Sequence, residues 1–424
     1  MIKTDLTYAK LDRDLSDYQN EVKRIHSWIH EKTYKGNDYL GWVDWPIDHD
    51  KSEFEKVKEV AAKVRQEAEV LLVCGIGGSY LGARAAIEFV KGLYADDTLE
   101  ILYVGNTFSS TALLQILDRV KDKSVYCNVI SKSGTTTETA LAFRIIRSYL
   151  ETRYGKKEAA NRIIATTDRA KGTLNELANK EGYTMFTIPD DIGGRYSVFT
   201  SVGLFPIACA GIDIDQLMQG SRQAYIDLNN DDITTNEAYK YAIARKNIEE
   251  QGKDVEIFVS YESHFAMLAE WWKQLFGESE GKEGKGIYPA SVVFSTDLHS
   301  MGQFIQEGKK IFFETVLKLK TPLKDGVVPF FEDDADQLNY LTDKSLHWIN
   351  EQAMLGTLQA HVEDGGIPNI LIEIEDHSAY TFGYLIYFYF KACAMSVYMQ
   401  DVNPFDQPGV EVYKRNMFKR LGKK

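Results

Sequence analysis

Short apolar runs that stop at glycine-rich or hydroxyl-rich turns constrain this sequence more than any other feature. The first run covers residues 69–74 and ends at the turn Gly75-Ile-Gly-Gly-Ser79. Further runs follow at 99–104, 124–130, 162–166 and 184–188, separated by stretches of helical character. The predicted helices include one at about 137–154 and a long apolar one at about 197–211. Strands that alternate with helices are typical of a parallel sheet with helices on both faces. The first half of the chain is therefore predicted to form an α/β domain.

The second half of the chain repeats this order. A strand is predicted at 252–260, between one helix and a long aromatic helix that contains Trp271 and Trp272. This repeated order of elements indicates a weak internal duplication of an α/β unit. A chain of 424 residues also exceeds the size at which a single core keeps growing, which favours two domains with a boundary at 212–236. Residues 319–338 are interpreted as an exposed excursion without a function of its own.

Composition excludes several classes of partner. The formal net charge of -13 argues against nucleic acid and anionic membranes, because phosphate backbones are bound by concentrated basic surfaces. No apolar stretch approaches the roughly 18 residues of a membrane span, and residues 1–8 lack the pattern of a secretory signal. We therefore expect a soluble, cytoplasmic protein without a membrane partner. Its four widely spaced cysteines are interpreted as buried, reduced thiols.

One pair of histidines has the spacing of metal ligands. His26 and His30 would share a face of a helix at positions i and i+4. The intervening Ser27-Trp-Ile29 lacks the glutamate of a zinc-protease motif. We interpret the pair as part of a surface helix face and expect no metal site.

The glycine turn after the first strand has the location of a ligand site, because α/β proteins bind ligands at the carboxyl ends of their strands. A dinucleotide fingerprint would need glycine at position 80, which is tyrosine, and an acidic residue where the second strand ends in Val104-Gly-Asn106. A single phosphate or a sugar fits better, held by backbone N–H groups near Gly78 and by the Ser79 hydroxyl. A tight turn whose glycines serve packing is an equal alternative.

Six hydroxyl residues surround a single lysine in the segment Ile130-Ser-Lys-Ser-Gly-Thr-Thr-Thr-Glu-Thr139. This segment follows a predicted strand and opens a helix, whose free N–H groups add to the donors available to a phosphate. One helix cap needs only one hydroxyl, so the pattern favours a phosphate site over capping. It is not a nucleotide-hydrolase loop, because the required glycine spacing is missing.

Four further segments could carry chemistry, and each also has an ordinary structural explanation. In Asp190-Asp-Ile-Gly-Gly-Arg195 a guanidinium could face developing negative charge, or could simply pair with the aspartates. The charged turn 277–286 contains Glu278, Glu280 and Glu283 and is interpreted as a solvated loop after a helix. Residues 294–303, which include His299, and residues 403–414, which open the last helix, could be capping or loop segments.

Taken together, these motifs resemble the glucose-6-phosphate isomerase family, in its shorter bacterial branch. The resemblance covers residues 70–424, with the segments in the expected order. Its most specific parts are Ser131-Lys-Ser-Gly-Thr-Thr-Thr-Glu-Thr139 and Asn403-Pro-Phe-Asp-Gln-Pro-Gly-Val-Glu411. The resemblance implies two sugar-isomerase-type α/β/α sandwich domains with mainly parallel sheets. The smaller domain would span 46–212, and residues 1–45 and 213–424 would form the larger one.

The same resemblance implies roles for individual residues. Glu278 resembles the isomerising base, because the family pattern of Glu-Ser, one variable residue and Gly-Lys is met only there. Arg195 resembles the residue that steadies an enediolate, and His299 and Lys414 resemble those that open the sugar ring. The remaining matches would bind substrate, namely Gly78, Ser79, Ser131, Lys132, Ser133, Thr136 and Gln407. In the family the histidine comes from the neighbouring subunit, which implies a homodimer with shared active sites.

The chemistry of the implied reaction agrees with these residue types. Moving a proton from C2 to C1 of a sugar phosphate needs one carboxylate base and a cation beside the oxyanion formed between the two steps. No metal or organic cofactor is required. Isomerisation of mannose phosphate by the same transfer is an alternative, and a non-catalytic sugar-phosphate sensor is another. A sensor would not need Glu278, His299 and Lys414 together.

Overall fold

A computed structural model describes residues 2–422. Within this range the chain forms ten strands and sixteen α-helices, arranged around two five-stranded sheets. The strands are β1 (Lys3–Asp5), β2 (Val70–Cys74), β3 (Glu100–Val104), β4 (Val125–Ile130), β5 (Ile163–Thr167), β6 (Thr184–Thr187), β7 (Val255–Ser260), β8 (Tyr288–Val293), β9 (Phe312–Leu319) and β10 (Asn369–Ile374).

Most helices lie between the strands, as expected for parallel crossovers. Those of the first half are α1 (Gln19–His30), α2 (Trp45–Asp48), α3 (Lys51–Glu67), α4 (Leu81–Lys91), α5 (Ser110–Val120), α6 (Thr137–Tyr154), α7 (Lys156–Asn161), α8 (Thr173–Glu181) and α9 (Ser201–Cys209). Those of the second half are α10 (Ile214–Asp227), α11 (Glu237–Glu250), α12 (Ala266–Glu280), α13 (Gly302–Glu307), α14 (Leu346–Gln359), α15 (Ala379–Met399) and α16 (Val410–Arg420).

The two sheets share one strand order. The first runs β3-β2-β4-β5-β6 and is parallel throughout. In the second, β8-β7-β9-β10 repeats the order of the first four strands, and β1 completes the sheet by pairing antiparallel with β10. The predicted fold class, two α/β sandwiches with mainly parallel sheets, is confirmed, and the common order supports the predicted duplication.

The core explains why these segments form these elements. Every residue of β2 and β4 is buried, as expected for central strands that are covered on both faces. Helix α15 is almost entirely buried and packs against α10, α11 and α12, which accounts for its continuous apolar sequence. The side chain of Asp213 caps α10, and that of Asn236 caps α11, at the polar stretches that separate the two sheets in sequence.

One predicted helix differs from the structure in its bounds, and two other predictions agree with it. The apolar helix predicted at 197–211 is shorter, because the chain first makes a helical turn at Gly194–Tyr196 and α9 begins only after the Thr200 cap. The segment 319–338 is exposed as predicted: Val327 is 64% exposed and Phe330 is 62% exposed. All four cysteines are buried and free, as predicted.

The interpretation of His26 and His30 as a surface face is wrong. Their rings lie 4.2 Å apart on the side of α1 that packs against α15. His30 Nε2 contacts Nζ of the fully buried Lys391 at 2.5 Å, and His26 Nδ1 contacts the Tyr239 hydroxyl at 2.9 Å. The helix turns this face inward because Val22, Ile25 and Ile29 on its neighbouring positions join the core, so the histidines are carried with them.

Among residues 2–422, no helix is both long enough and apolar enough to cross a membrane.

Candidate active site

A cleft of ≈ 520 Å³ lies at the carboxyl edge of the first sheet. Three loops from this sheet reach it, one after β2, one after β4 and one after β6. Helix α12 and helix α16 close it from the other side. The lining residues are Ile76, Gly77, Gly78, Ser133, Thr135, Thr136, Thr137, Glu138, Gly194, Arg195, Gln274, Glu278, Gln407, Tyr413, Lys414, Met417 and Phe418.

A close approach of two backbones shapes the floor of the cleft. A Cβ atom at Gly78 would lie 2.1 Å from the carbonyl oxygen of Gly194, so no other residue fits at position 78 without moving the main chain. This contact joins the turn after β2 to the turn that carries Arg195. Gly78 therefore serves packing between two site loops, and it lines the cleft together with Gly77.

Arg195 is held rigidly beside the cleft. The residue is only 3% exposed. Its Nε donates to Ser279 Oγ at 2.8 Å, its Nη2 donates to the main-chain carbonyl of Pro404, and its Nη1 lies 3.2 Å from Glu278 Oε2. Because each edge of the guanidinium has a partner, the charge has one orientation. The alternative in which Arg195 pairs with Asp190 or Asp191 is wrong.

Glu278 lies on α12, not in a loop. The helix continues through Glu280, so the predicted turn at 277–286 begins later than expected. Glu278 Oε2 accepts hydrogen bonds from Arg195 and from Gln407 Nε2 at 2.6 Å, and Oε1 accepts one from Gln274 Nε2 at 3.2 Å. The side chain remains 32% exposed and faces the cleft. A carboxylate placed in this way can reach a ligand while its neighbours set its orientation.

Glu280 has a different environment from the solvated one that the sequence suggested. It is fully buried, and its two oxygens contact Arg245 Nη1 at 2.5 Å and Nη2 at 3.1 Å. Arg245 also donates from Nε to Glu256 at 2.6 Å. Burial lowers the pKa of Arg245, but the two carboxylates outweigh it and hold that pKa well above its usual range. Glu280 therefore anchors the end of α12, two residues beyond Glu278.

The hydroxyl-rich segment forms a loop between β4 and α6. Ser131 is buried and its Oγ accepts from the Gly134 N–H at 3.0 Å, while Ser133 Oγ accepts from the Thr135 N–H at 3.1 Å. Thr136 is exposed at the start of α6 and makes no side-chain cap hydrogen bond. Ser133 and Thr136 line the cleft, whereas Ser131 supports the loop from below.

Lys132 does not line the cleft in this structure. Its Nζ donates to the main-chain oxygens of Pro189 and Asp190, at 3.3 Å and 3.1 Å, and lies 3.3 Å from Asp190 Oδ1. Its side chain is 37% exposed. Ser79 lies beside Gly78 in the helical turn Gly77–Ser79 but is not among the lining residues.

The structure brings Lys414 and Gln407 to the cleft but leaves His299 outside it. Lys414 projects from α16, with Nζ 2.9 Å from Glu411 Oε1. His299 ends the helical turn Thr296–His299 after β8, where it is exposed and makes no side-chain hydrogen bond to residues 2–422. One chain therefore assembles Glu278, Arg195, Lys414 and Gln407, and the histidine is presented on its surface.

One residue that lines the cleft, Gln274, and one that lies behind it, Lys282, were missed by the sequence analysis. Gln274 contacts Glu278 from one helical turn earlier, and the i, i+4 spacing would have revealed it had residues 277–280 been assigned to the helix. Lys282 contacts the segment that contains Gln407, and its partners lie more than a hundred positions away in sequence. No local pattern could have found that contact.

The described part of the chain contains no group of three or more His, Cys, Asp or Glu side chains arranged to hold a metal ion.

Comparisons with known proteins agree with this geometry. The family model of phosphoglucose isomerase matches residues 33–320. A glucose-6-phosphate isomerase from Mycoplasma mycoides subsp. mycoides SC is 51% identical over 424 residues, which is 100% of this chain and 99% of that protein. A crystal structure of a hypothetical protein from Thermus thermophilus superposes with a TM-score of 0.90 at 26% identity, covering 99% of this chain and 100% of that one.

A second solved structure shows how far the fold extends beyond sequence similarity. The glucose-6-phosphate isomerase from Chlamydia trachomatis superposes with a TM-score of 0.84 at 17% identity, covering 99% of this chain and 88% of that chain. The fold is thus shared over essentially the whole chain. With the family model covering more than half of the sequence, the chain belongs to the phosphoglucose isomerase family.

Proposed function

We propose that this cleft interconverts glucose 6-phosphate and fructose 6-phosphate through a cis-enediolate, as an enzyme of glycolysis and gluconeogenesis. The observation that carries the proposal is the pairing of Glu278 with the buried Arg195 at 3.2 Å inside the cleft. A carboxylate base and a fixed cation at one point are what a proton transfer between neighbouring carbons requires.

Glu278 is the base in this proposal. It takes the proton from C2 of the open-chain aldose and returns it to C1, while Arg195 stabilises the negative charge on the enediolate oxygen. Arg195 is suited to this task because its hydrogen bonds to Ser279 and Pro404 fix its position before the charge develops. Gln407 and Gln274 orient the Glu278 carboxylate from its two sides.

The phosphate of the substrate is bound, in this proposal, by the loops after β2 and β4. Ser133 and Thr136 face the cleft, and α6 begins there with its N–H groups directed towards the ligand. Gly78 offers its main-chain N–H. Ser79 and Ser131, which lie behind the lining residues, complete the set together with Lys132. Lys132 must leave the carbonyl oxygens of Pro189 and Asp190 to reach the phosphate, so we expect this loop to adjust on binding.

Ring opening needs an acid and a base in addition to Glu278, and we assign them to Lys414 and His299. Lys414 lines the cleft, but His299 is exposed elsewhere on the same chain. A homodimer in which each His299 enters the cleft of the partner subunit resolves this separation. The expected test is complementation: refolded mixtures of His299→Ala and Glu278→Gln chains should recover activity that neither has alone. Proven mixed dimers without recovery would contradict shared sites.

A coupled assay tests the function directly. Purified protein with fructose 6-phosphate should yield glucose 6-phosphate without added metal. With aldose substrate deuterated at C2, part of the label should appear at C1 and part should exchange with solvent, because Glu278 is open to water in the cleft. Complete retention of the label would indicate hydride transfer and contradict the base mechanism.

The proposed function also implies a division of the chain into two domains. Residues 46–212 would form the smaller domain and residues 1–45 with 213–424 the larger, since β2–β6 fall within the first range and β1 joins the sheet of the second. The cleft then lies between a phosphate-binding domain and a domain that supplies the base. A role in glycolysis would place the protein in the cytoplasm.

A further inference from the structure

Lys282 lies outside the cleft and tethers a segment of chain whose other residues contact Arg195 and Glu278. The Lys282 side chain is only 8% exposed and does not line the cleft. Its Nζ donates to the main-chain carbonyl of Asn403 and lies 3.1 Å from Asp406 Oδ1. Lys282 follows the last residue of α12 by two positions, so one short stretch carries both Glu278 and this tether.

The tethered segment, residues 403–407, contacts both members of the central ion pair. The carbonyl of Pro404 accepts from Arg195 Nη2, and Gln407 Nε2 donates to Glu278 Oε2 at 2.6 Å. The consecutive carbonyls of residues 403 and 404 thus each accept a hydrogen bond from a buried cation. Between these contacts, the ring of Phe405 packs edge-on against Tyr196, with 5.3 Å between ring centroids.

We propose that Lys282 is a positioning residue for the isomerisation, which holds segment 403–407 so that Pro404 and Gln407 fix the orientation of Arg195 and Glu278. The inference rests on the function proposed above and adds to it a residue that contacts none of the reacting atoms. An untethered segment would let the Gln407 amide and the Pro404 carbonyl drift. Small displacements of groups that orient reacting atoms have large effects on rate, on the order of 10²-fold for about 1 Å.

The electrostatics of Lys282 are consistent with a specific role. Burial lowers its pKa, the hydrogen bond to Asp406 opposes that shift, and the nearby positive charge of Arg195 lowers the pKa further. A buried cation beside a second cation is costly unless its partners are well placed. The carbonyl of Asn403 and the carboxylate of Asp406 are those partners, and they fix the segment in return.

The test separates turnover from binding. Lys282→Met should lower kcat by roughly 10-fold with KM changed by less than about 2-fold. The substrate contacts are kept in this variant, but the base is no longer held in its orientation. Lys285→Met is the matched control. Lys285 also donates to a nearby main-chain carbonyl, but that carbonyl belongs to Gln400, which precedes the tethered segment, and the Lys285 side chain is 43% exposed. Its kcat should stay at the parental value.

A double-substitution cycle distinguishes positioning from general destabilisation. If Lys282 acts through segment 403–407, Lys282→Met should lower kcat less in a Gln407→Ala background than in the parent. Equal fold-changes in the two backgrounds, or a parental kcat for Lys282→Met, would overturn the proposal. Should Lys282→Met not fold, Asp406→Ala removes the exposed partner of the tether instead. For Asp406→Ala, a loss in kcat of roughly 2-fold or more supports the proposal if the loss is smaller in the Gln407→Ala background than in the parent. A parental kcat for Asp406→Ala overturns the proposal.

The proposed function and this inference fail in different ways. A parent protein that does not interconvert the two sugar phosphates would remove the function itself, and a Glu278→Gln chain with parental activity would remove Glu278 as its base, whatever Lys282 does. An inactive Glu278→Gln chain combined with a fully active Lys282→Met chain would leave the function intact and remove only the positioning role.

Discussion

The two sheets have the same parallel strand order but bury different kinds of polar residue. In the first sheet the buried polar residues on the strands are neutral, as Asn128 and Thr166 show. In the second sheet they include carboxylates: Glu256 and Glu314 are both fully buried or nearly so. A neutral polar group in a core needs only hydrogen bonds, whereas a buried charge needs an oppositely charged partner as well. One topology therefore supports two different electrostatic designs.

The difference corresponds to what each half presents at the cleft. The first half presents loops with main-chain N–H groups and hydroxyls, which suit binding of a phosphate. The second half presents Glu278, on a helix whose end is held by the buried pair of Glu280 and Arg245. In the proposed function, phosphate binding would therefore belong to the first half and the base to the second, while Arg195 of the first half contacts that base. The predictions below test that division.

The largest expected effect belongs to Glu278, the proposed base. Glu278→Gln keeps the shape of the side chain but cannot accept a proton, so kcat should fall by at least about 10² to 10⁴. Substrate affinity should change little, since the proposed phosphate site lies in the other half. Steady-state kinetics and an inhibition constant for a sugar-phosphate analogue measure the two effects separately.

The matched control for Glu278 is Glu283, which lies five positions later and is exposed. Glu283→Gln should have parental kinetics. If Glu278→Gln were as active as Glu283→Gln, the base would have to be sought elsewhere in the cleft.

The next effect concerns stability. Glu280→Gln removes one charge from the buried group formed by Arg245, Glu256 and Glu280, and breaking such a group costs about 3 kcal/mol of unfolding free energy. Urea denaturation should show this loss, while Glu283→Gln should lie within about 0.5 kcal/mol of the parent. An unchanged midpoint for Glu280→Gln would mean that the amide replaces the carboxylate at no cost.

Glu280 also shows which parts of the molecule the sequence could predict. Strand positions and the hydroxyl loop follow from local patterns, and the helix predicted at residues 137–154 matches α6. The environment of Glu280 depends on Arg245, which is 35 positions away, and on Ser396 at 116 positions. Glu280 and Glu283 look alike in a charged, glycine-rich stretch, and only the three-dimensional packing separates them.

The candidate site divides in the same way. Arg195, Glu278, Lys414 and Gln407 were predicted from motifs, and the structure brings them to one cleft. The position of His299 outside that cleft is the one expected from the family resemblance, which implies a histidine from the neighbouring subunit. The motif around His299 carries no such information by itself. The contact of Lys132 with Pro189 and Asp190 was missed because those acceptors are main-chain oxygens.

A smaller effect should distinguish binding by the first half from catalysis by the second. Lys132→Ala should raise KM by about 10-fold to 100-fold, the value of one charge-assisted hydrogen bond, with kcat nearly unchanged. The phosphate is bound in the ground state and in the transition state alike, so turnover of bound substrate does not depend on it. Equal inhibition constants for an analogue in the variant and the parent would remove Lys132 from the phosphate site.

The smallest expected effect is a dependence of stability on pH that arises where α1 meets α15. Burial, and then the charge of Lys391, lower the pKa of His30 to about 2, and burial lowers the pKa of Lys391 to about 7, opposed by Asp44. The same two causes lower the pKa of His26 to about 4, and Asp231 opposes them. The neighbouring Tyr239 contacts His26 but stays neutral, because burial raises its pKa.

The direction of this dependence follows from which state binds more protons. Below pH 6.5 the unfolded chain protonates His30 while the folded chain does not, so stability falls as the pH drops, by at most about 1.4 kcal/mol per pH unit. Between pH 7 and 10.5 the unfolded chain alone keeps Lys391 charged, so stability rises across that range. His30→Gln, which retains an acceptor for Lys391, should flatten the slope of unfolding free energy between about pH 6.5 and 5, and Lys391→Met should flatten the alkaline rise. Parallel urea titrations of parent and variants with identical slopes would show that His30 and Lys391, where α1 meets α15, do not set the pH response.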